Sequence, residues 1–166
     1  LSKENFPFMK FREGEVCGVK ARVFRISFTG ELSYEVNVPA RYGRYVWEKF
    51  MEHGKKYNIT PYGTETMHVL RAEKGFIIVG QDTDGSVTPS DMNMDWIVSK
   101  KKEDFLGKRS FTRSDTVRHD RKKFVGLLVN DKKTILPEGS HIVEKALKQP
   151  PMKMLGHVTS SYYSPT

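Results

Sequence analysis

The chain has 166 residues, enough for one sizeable core or one compact domain with a satellite and too few for several independent domains. Its 28 Lys and Arg against 20 Asp and Glu leave a net charge of +8, yet 37% hydrophobic and 11% aromatic residues exclude a disordered polyelectrolyte. No stretch approaches the ~18 apolar residues that span a bilayer, no cationic-then-apolar signal segment opens the chain, and the single Cys17 closes no internal disulfide, so it reads as soluble and cytoplasmic.

Residues 19–28 are rich in β-branched and aromatic side chains, with Val19, Ala21 and Val23 alternating with Lys20 and Arg22, and the alternation slips at Phe24 and Ile26. This predicts a strand, bulged where the pattern slips. A second apolar/polar run covers 32–38, so the pair predicts a β-hairpin whose tight turn is supplied by Gly30 and which Pro39 ends. Residues 41–57 have helical spacing through Tyr42, Val46 and Phe50, with Gly54 and Asn58 as terminators. Thr60-Pro61 resembles an N-cap followed by a first-turn proline, predicting a second helix that runs to Lys74 and stops at Gly75. Short strands are expected at 76–79 and 94–98, and a short helix at 107–112.

The charge is concentrated. Between residues 100 and 123 ten cations face four anions, so +6 of the net +8 lies in this run. Within it, 113–120 is nearly devoid of apolar residues and reads as a solvated connection, which sets an expected domain boundary near 117. Beyond it, strands at 124–129, 141–144 and 156–161 are separated by Pro137-Glu138-Gly139 and Gln149-Pro150-Pro151, turn chemistry suited to a small barrel or sandwich. The expected architecture is α+β: a mainly antiparallel sheet with two packed helices over 1–117, then a partial, truncated β-barrel segment over 118–166.

Two constellations carry candidate chemistry. In the 28–35 turn, Glu31 directly follows the turn glycine and Tyr34 lies three residues on, placing two hydrogen-bond acceptors beside a stacking surface suited to a flat, donor-rich heterocycle. The plainer reading is a solvent-exposed turn carboxylate. Thr64, His68 and Arg71 fall on one helix face, and Arg71 sits among core-type residues, committed either to a ligand or to an ordinary helix salt bridge. Gly80-Gln81-Asp82-Thr83-Asp84-Gly85 lacks the later glutamate of a calcium loop and reads as an Asx-rich turn, and the five histidines show no zinc-ligand spacing, so no metal site is expected. A nucleic-acid-binding module is the distant alternative for the basic run, which holds only Phe105 and Phe111 as aromatics.

Arg25 to Glu35, Pro61 to Gly75, Gly80-Gln81-Asp82, Thr88-Pro89 and Asp104-Phe105-Leu106-Gly107-Lys108 together resemble, in order and spacing, the aminomethyltransferase (glycine-cleavage T-protein) superfamily. Phe6-Pro7-Phe8-Met9 and Leu70-Arg71-Ala72-Glu73-Lys74-Gly75-Phe76 look most like its branch in the alpha subunits of heterotetrameric sarcosine oxidases. The resemblance implies a tetrahydrofolate-binding domain in which Glu31 binds the pterin, Tyr34 is the aromatic of the same turn and Arg71 lies at the folate site. Phe28 and Ser33 depart from the tyrosine and glycine usual there.

The superfamily's catalytic aspartate belongs upstream of the Phe-Pro-Phe-Met stretch, so no catalytic residue is expected in this chain, and its closing barrel runs on past residue 166. The implied role is that of a fragment which, in a parent complex, accepts on tetrahydrofolate the one-carbon unit released by sarcosine oxidation, forming 5,10-methylene-tetrahydrofolate. Flavin and NAD would belong to other parts of that complex, and the other subunits would be the partners. A stand-alone aminomethyltransferase or a dimethylglycine dehydrogenase-type folate domain is the alternative. The isolated chain is expected to be inactive and to self-associate.

Overall fold

The computed structural model describes residues 4–166, which form two compact units, one ending at Phe76 and the other running from Ile77 to Thr166. The architecture is α+β, with two short antiparallel sheets. The basic run at 100–123 lies inside the second unit. No helix among the described residues is long and apolar enough to cross a membrane.

In the first unit, β1 (Phe11–Val16) and β2 (Val19–Phe24) form a hairpin in continuous register from Phe11 opposite Phe24 to Val16 opposite Val19. Its turn is Cys17-Gly18, both left-handed at φ 52° and 75°, the conformation whose twist matches flanking strands. The sequence pattern does not announce β1, because its side chains are exposed along most of its length and therefore do not alternate. β2 buries Val19 and Ala21 and exposes Lys20 and Arg22, as its alternation predicts.

The expected second hairpin forms with a different connection. β3 (Glu35–Asn37) pairs with β2 from Phe24 opposite Glu35 to Arg22 opposite Asn37, leaving residues 25–34 as a long loop instead of a tight turn at Gly30. At Arg25 the chain leaves β3 and stays with the amino-terminal segment: Arg25 N–H donates to Lys10 O and Met9 N–H donates to Arg25 O. The slip in alternation at Phe24 marks this departure.

A 3₁₀ turn (Ala40–Tyr42) leads into α1 (Gly43–Gly54), which buries Val46, and a second 3₁₀ turn (Lys55–Tyr57) ends the run. Asn58 is left-handed at φ 57°, Asn58 N–H donates to Lys55 O, and Ile59 N–H donates to Gly54 O, a complete Schellman closure. α2 (Thr64–Glu73) starts after Gly63, not at Thr60-Pro61. The Thr60 hydroxyl donates back to Asn58 O at 3.2 Å, so it completes the turn leaving α1 and caps nothing. α2 closes in the same way as α1: Gly75 is left-handed at φ 73°, its N–H donates to Ala72 O, and Phe76 N–H donates to Arg71 O. The two helices make few direct backbone contacts with each other.

The second unit is mostly turns and extended segments. No strand forms at 76–79, because Ile78 is taken into a local turn: its N–H donates to the Asp82 carboxylate, and its carbonyl accepts from Gln81 and Asp82 N–H. Residues 94–98 hold a 3₁₀ turn (Asp95–Ile97) in place of a strand, and 107–112 a 3₁₀ helix (Lys108–Thr112). Residues 124–129 form no ladder; Phe124 N–H donates to Asp91 O and Leu128 is fully exposed. β4 (His141–Val143) and β5 (Met154–His157) pair antiparallel with an irregularity at Ile142/Val143, so a two-stranded sheet stands where a partial barrel was expected.

Candidate functional site

The loop at 25–34, Phe8 and Phe76, which follows α2, line a half-open cleft of about 340 Å³ within the first unit. Phe8, Ile26, Leu32 and Phe76 supply its apolar walls, and Arg25, Ser27, Glu31 and Ser33 supply polar groups around them. Two of these walls, Phe76 and Phe8, have a local cause. Phe76 is the residue that follows the left-handed Gly75, and Arg71 holds both of its backbone groups: the Arg71 carbonyl accepts Phe76 N–H, and the Arg71 Nη1 donates to Phe76 O at 3.1 Å. Phe8 is set by its neighbour Phe6, which is fully buried, packs its ring 5.7 Å from that of Tyr34, and accepts at its carbonyl from Arg25 Nη1 at 2.6 Å.

Glu31 sits at the lip of this cleft, largely exposed, with Oε1 3.4 Å from Lys74 Nζ. The aliphatic stem of Lys74 crosses Gly30 so closely that a Cβ there would lie 2.7–2.9 Å from Lys74 Cγ, Cδ and Cε. Gly30 is itself left-handed at φ 83°. Glycine is thus required twice at one position, for its backbone angle and for the close approach of Lys74. The Ser27 hydroxyl oxygen is buried beside the cleft without a hydrogen-bond partner, a state that costs ~1–3 kcal/mol if it persists.

Of the three residues expected at the site, Glu31 lies on the cleft. Tyr34 supports it from behind through Phe6, and Arg71, 1% exposed, supports it from beneath through Phe76. Thr64 and His68 do not join them: the His68 Nδ1 lies 3.8 Å from Glu65 on the same helix. Lys74, Phe8 and Ser27 lie within the motifs that carry the resemblance but are not among the residues expected at the site.

The second unit holds an ionic cluster that sequence reasoning also missed. Arg121, from the basic run, grips the buried Asp91 with Nε 3.1 Å from both carboxylate oxygens and Nη2 2.6 Å from Oδ2, while Nη1 reaches Asp115 at 2.9 Å. These guanidinium hydrogen bonds, aided by the Thr88 amide and hydroxyl, hold the Asp91 carboxyl far below the usual carboxylate range against the opposing effect of burial. Arg121 is therefore an anchor within the basic run. In the Gly80–Gly85 turn, Asp82 accepts from the Thr159 and Ser160 hydroxyls, fastening the turn to the carboxy-terminal segment. Among the described residues no three His, Cys, Asp or Glu side chains gather to hold a metal ion.

Comparison with known proteins gives a consistent picture. The model of the GCVT N-terminal domain matches residues 1–102. The sarcosine oxidase subunit alpha of Corynebacterium sp. strain P-1 is 54% identical over 99% of this chain, and that of Rhizobium meliloti strain 1021 is 39% identical over 99%. The chain spans 17% of the length of each of these relatives. The aminomethyltransferase of Thermotoga petrophila is 30% identical over 99% of this chain and 43% of its own length.

Proposed function

Since this chain belongs to the GCVT N-terminal domain family, we propose that its first unit contributes a tetrahydrofolate site, at which the one-carbon unit released on sarcosine oxidation is captured as 5,10-methylene-tetrahydrofolate. The observation that carries this reading is the Glu31 carboxylate at the lip of an apolar-walled cleft. The donor set fits a reduced pterin. That ring presents adjacent N–H donors on one edge, which a carboxylate accepts as a pair. Its flat faces suit aromatic walls such as Phe8 and Phe76, and the buried Ser27 hydroxyl lies nearby as a further polar group. At about 340 Å³ the cleft is at the small end of ligand pockets, sized for the bicyclic head of the molecule rather than its whole length.

In this reading the chain binds and orients the folate. Glu31 fixes the pterin edge, Arg71 sets the Phe76 wall through its backbone, and Tyr34 braces Phe6 behind Phe8. The relatives' name, sarcosine oxidase subunit alpha, supports placement in a multi-subunit assembly. Flavin and NAD would belong to other parts of it, as the family resemblance implies. In the full-length protein, Glu31→Ala is expected to weaken tetrahydrofolate binding by ~1–3 kcal/mol through lost hydrogen bonds to the ligand, read by calorimetry. Unchanged affinity would overturn the assignment.

A further inference from the structure

We propose that Lys74 is the positioning residue of this cleft, acting through Glu31 and not on the ligand. The inference deepens the folate reading and rests on it. An exposed glutamate on a ten-residue loop has several rotamers, and a ligand that uses its carboxylate must first fix one of them, at an entropic cost. Here that ordering is built into the fold. Lys74 is the cap residue of α2, immediately before the left-handed Gly75, so its backbone is held by the helix closure. Its stem lies flat on the Cβ-free face of Gly30, and its ammonium stops 3.4 Å from Glu31 Oε1.

One carboxylate oxygen is thereby steered by the ammonium. A carboxylate offers about four lone-pair positions, so the remaining ones stay available to N–H donors from the cleft. The pair also makes the lip bipolar instead of purely anionic, which suits a neutral heterocycle edge better than a cation. Arg25, the other cation at the cleft, donates to the Phe6 carbonyl, and Lys74 is the cation paired with Glu31.

The test is tetrahydrofolate titration of the full-length protein in five forms: wild type, Lys74→Met, Lys74→Arg, Glu31→Gln and the Lys74→Met/Glu31→Gln double variant. Lys74→Met should weaken binding about two- to fivefold, the range of a partly exposed pair, and the difference from wild type should narrow at high salt. Lys74→Arg should restore affinity, and the double variant should bind no more weakly than Glu31→Gln alone. Wild-type affinity in Lys74→Met, or an equal loss on adding it to Glu31→Gln, would overturn the positioning role. Equal affinity of wild type and Glu31→Gln would instead refute the ligand assignment, and the inference with it.

Discussion

Gly30 concentrates much of the site's physics in one position. Any side chain there would meet the Lys74 stem and would also have to adopt φ 83°, a left-handed geometry that costs an L-residue ~1–2 kcal/mol. Gly30→Ala should therefore lower the unfolding free energy by about 1–2 kcal/mol and displace the Lys74 ammonium from Glu31, measured by denaturant unfolding alongside tetrahydrofolate affinity. Asp91 is the corresponding position in the second unit. Removing a buried carboxylate from its bidentate arginine leaves a buried, poorly compensated charge, so Asp91→Ala should cost about 3 kcal/mol near pH 7. Because folding depresses this carboxyl, its contribution is complete above the ordinary aspartate range near pH ~4 and is lost as the pH falls through and below it. The gap between wild type and variant should stay constant from about pH 5 to 8 and close toward pH ~2 in urea melts. Glu31 was legible from the sequence because a carboxylate after a turn glycine is a local signal. The partners of Asp91 and Glu31 were not, since Arg121 looks like any cation of a basic run and Lys74 reaches Glu31 only after the chain has folded back by more than forty residues.

Helix ends were more legible than strands, for a physical reason. Gly75 and Asn58 stop their helices through φ values that few other residues adopt readily, so the stop is written in one residue. Gly75→Ala is expected to destabilise the first unit by ~1 kcal/mol and, by loosening the Arg71–Phe76 clamp, to weaken cleft binding more than its stability cost alone would. A thermal melt paired with calorimetry at a temperature where both proteins are fully folded would separate the two effects. Strands depend on partners. β2 shows alternation because one of its faces is buried, whereas β1 is exposed on both faces and leaves no periodic trace. At 76–79 and 124–129 the apolar runs have strand composition, but Asp82 and Asp91 take the backbone groups that a ladder would need, and neither competitor is adjacent in sequence to the residue it captures. The start of α2 is not legible at Thr60, because Thr60 has two nearby uses and the closure of α1 claims it.

At the scale of the whole chain, burial is sparse. Among the described residues only Phe6, Val19, Ala21, Val46, Met92 and Val158 are apolar and nearly inaccessible, while Phe8, Leu32, Trp47, Val79, Trp96, Leu106 and Leu128 are each more than half exposed. Scattered apolar side chains on a surface are ordinary, but large aromatic and branched residues in this proportion leave little of the hydrophobic driving force satisfied within the chain. The relatives at 54% and 39% identity are about six times longer, so comparable surfaces in them have much additional polypeptide available to cover them. Expressed by itself, the 166-residue chain should therefore associate through these faces. Light scattering should return a mass above 19.1 kDa that rises with concentration, together with enhanced fluorescence of a hydrophobic dye that the full-length protein does not induce. Raising the salt concentration should strengthen the association, since screening the net charge of +8 removes the main repulsion between copies while leaving apolar contact intact. A concentration-independent monomer that leaves the dye dark would show that the exposed side chains find their partners within this chain after all.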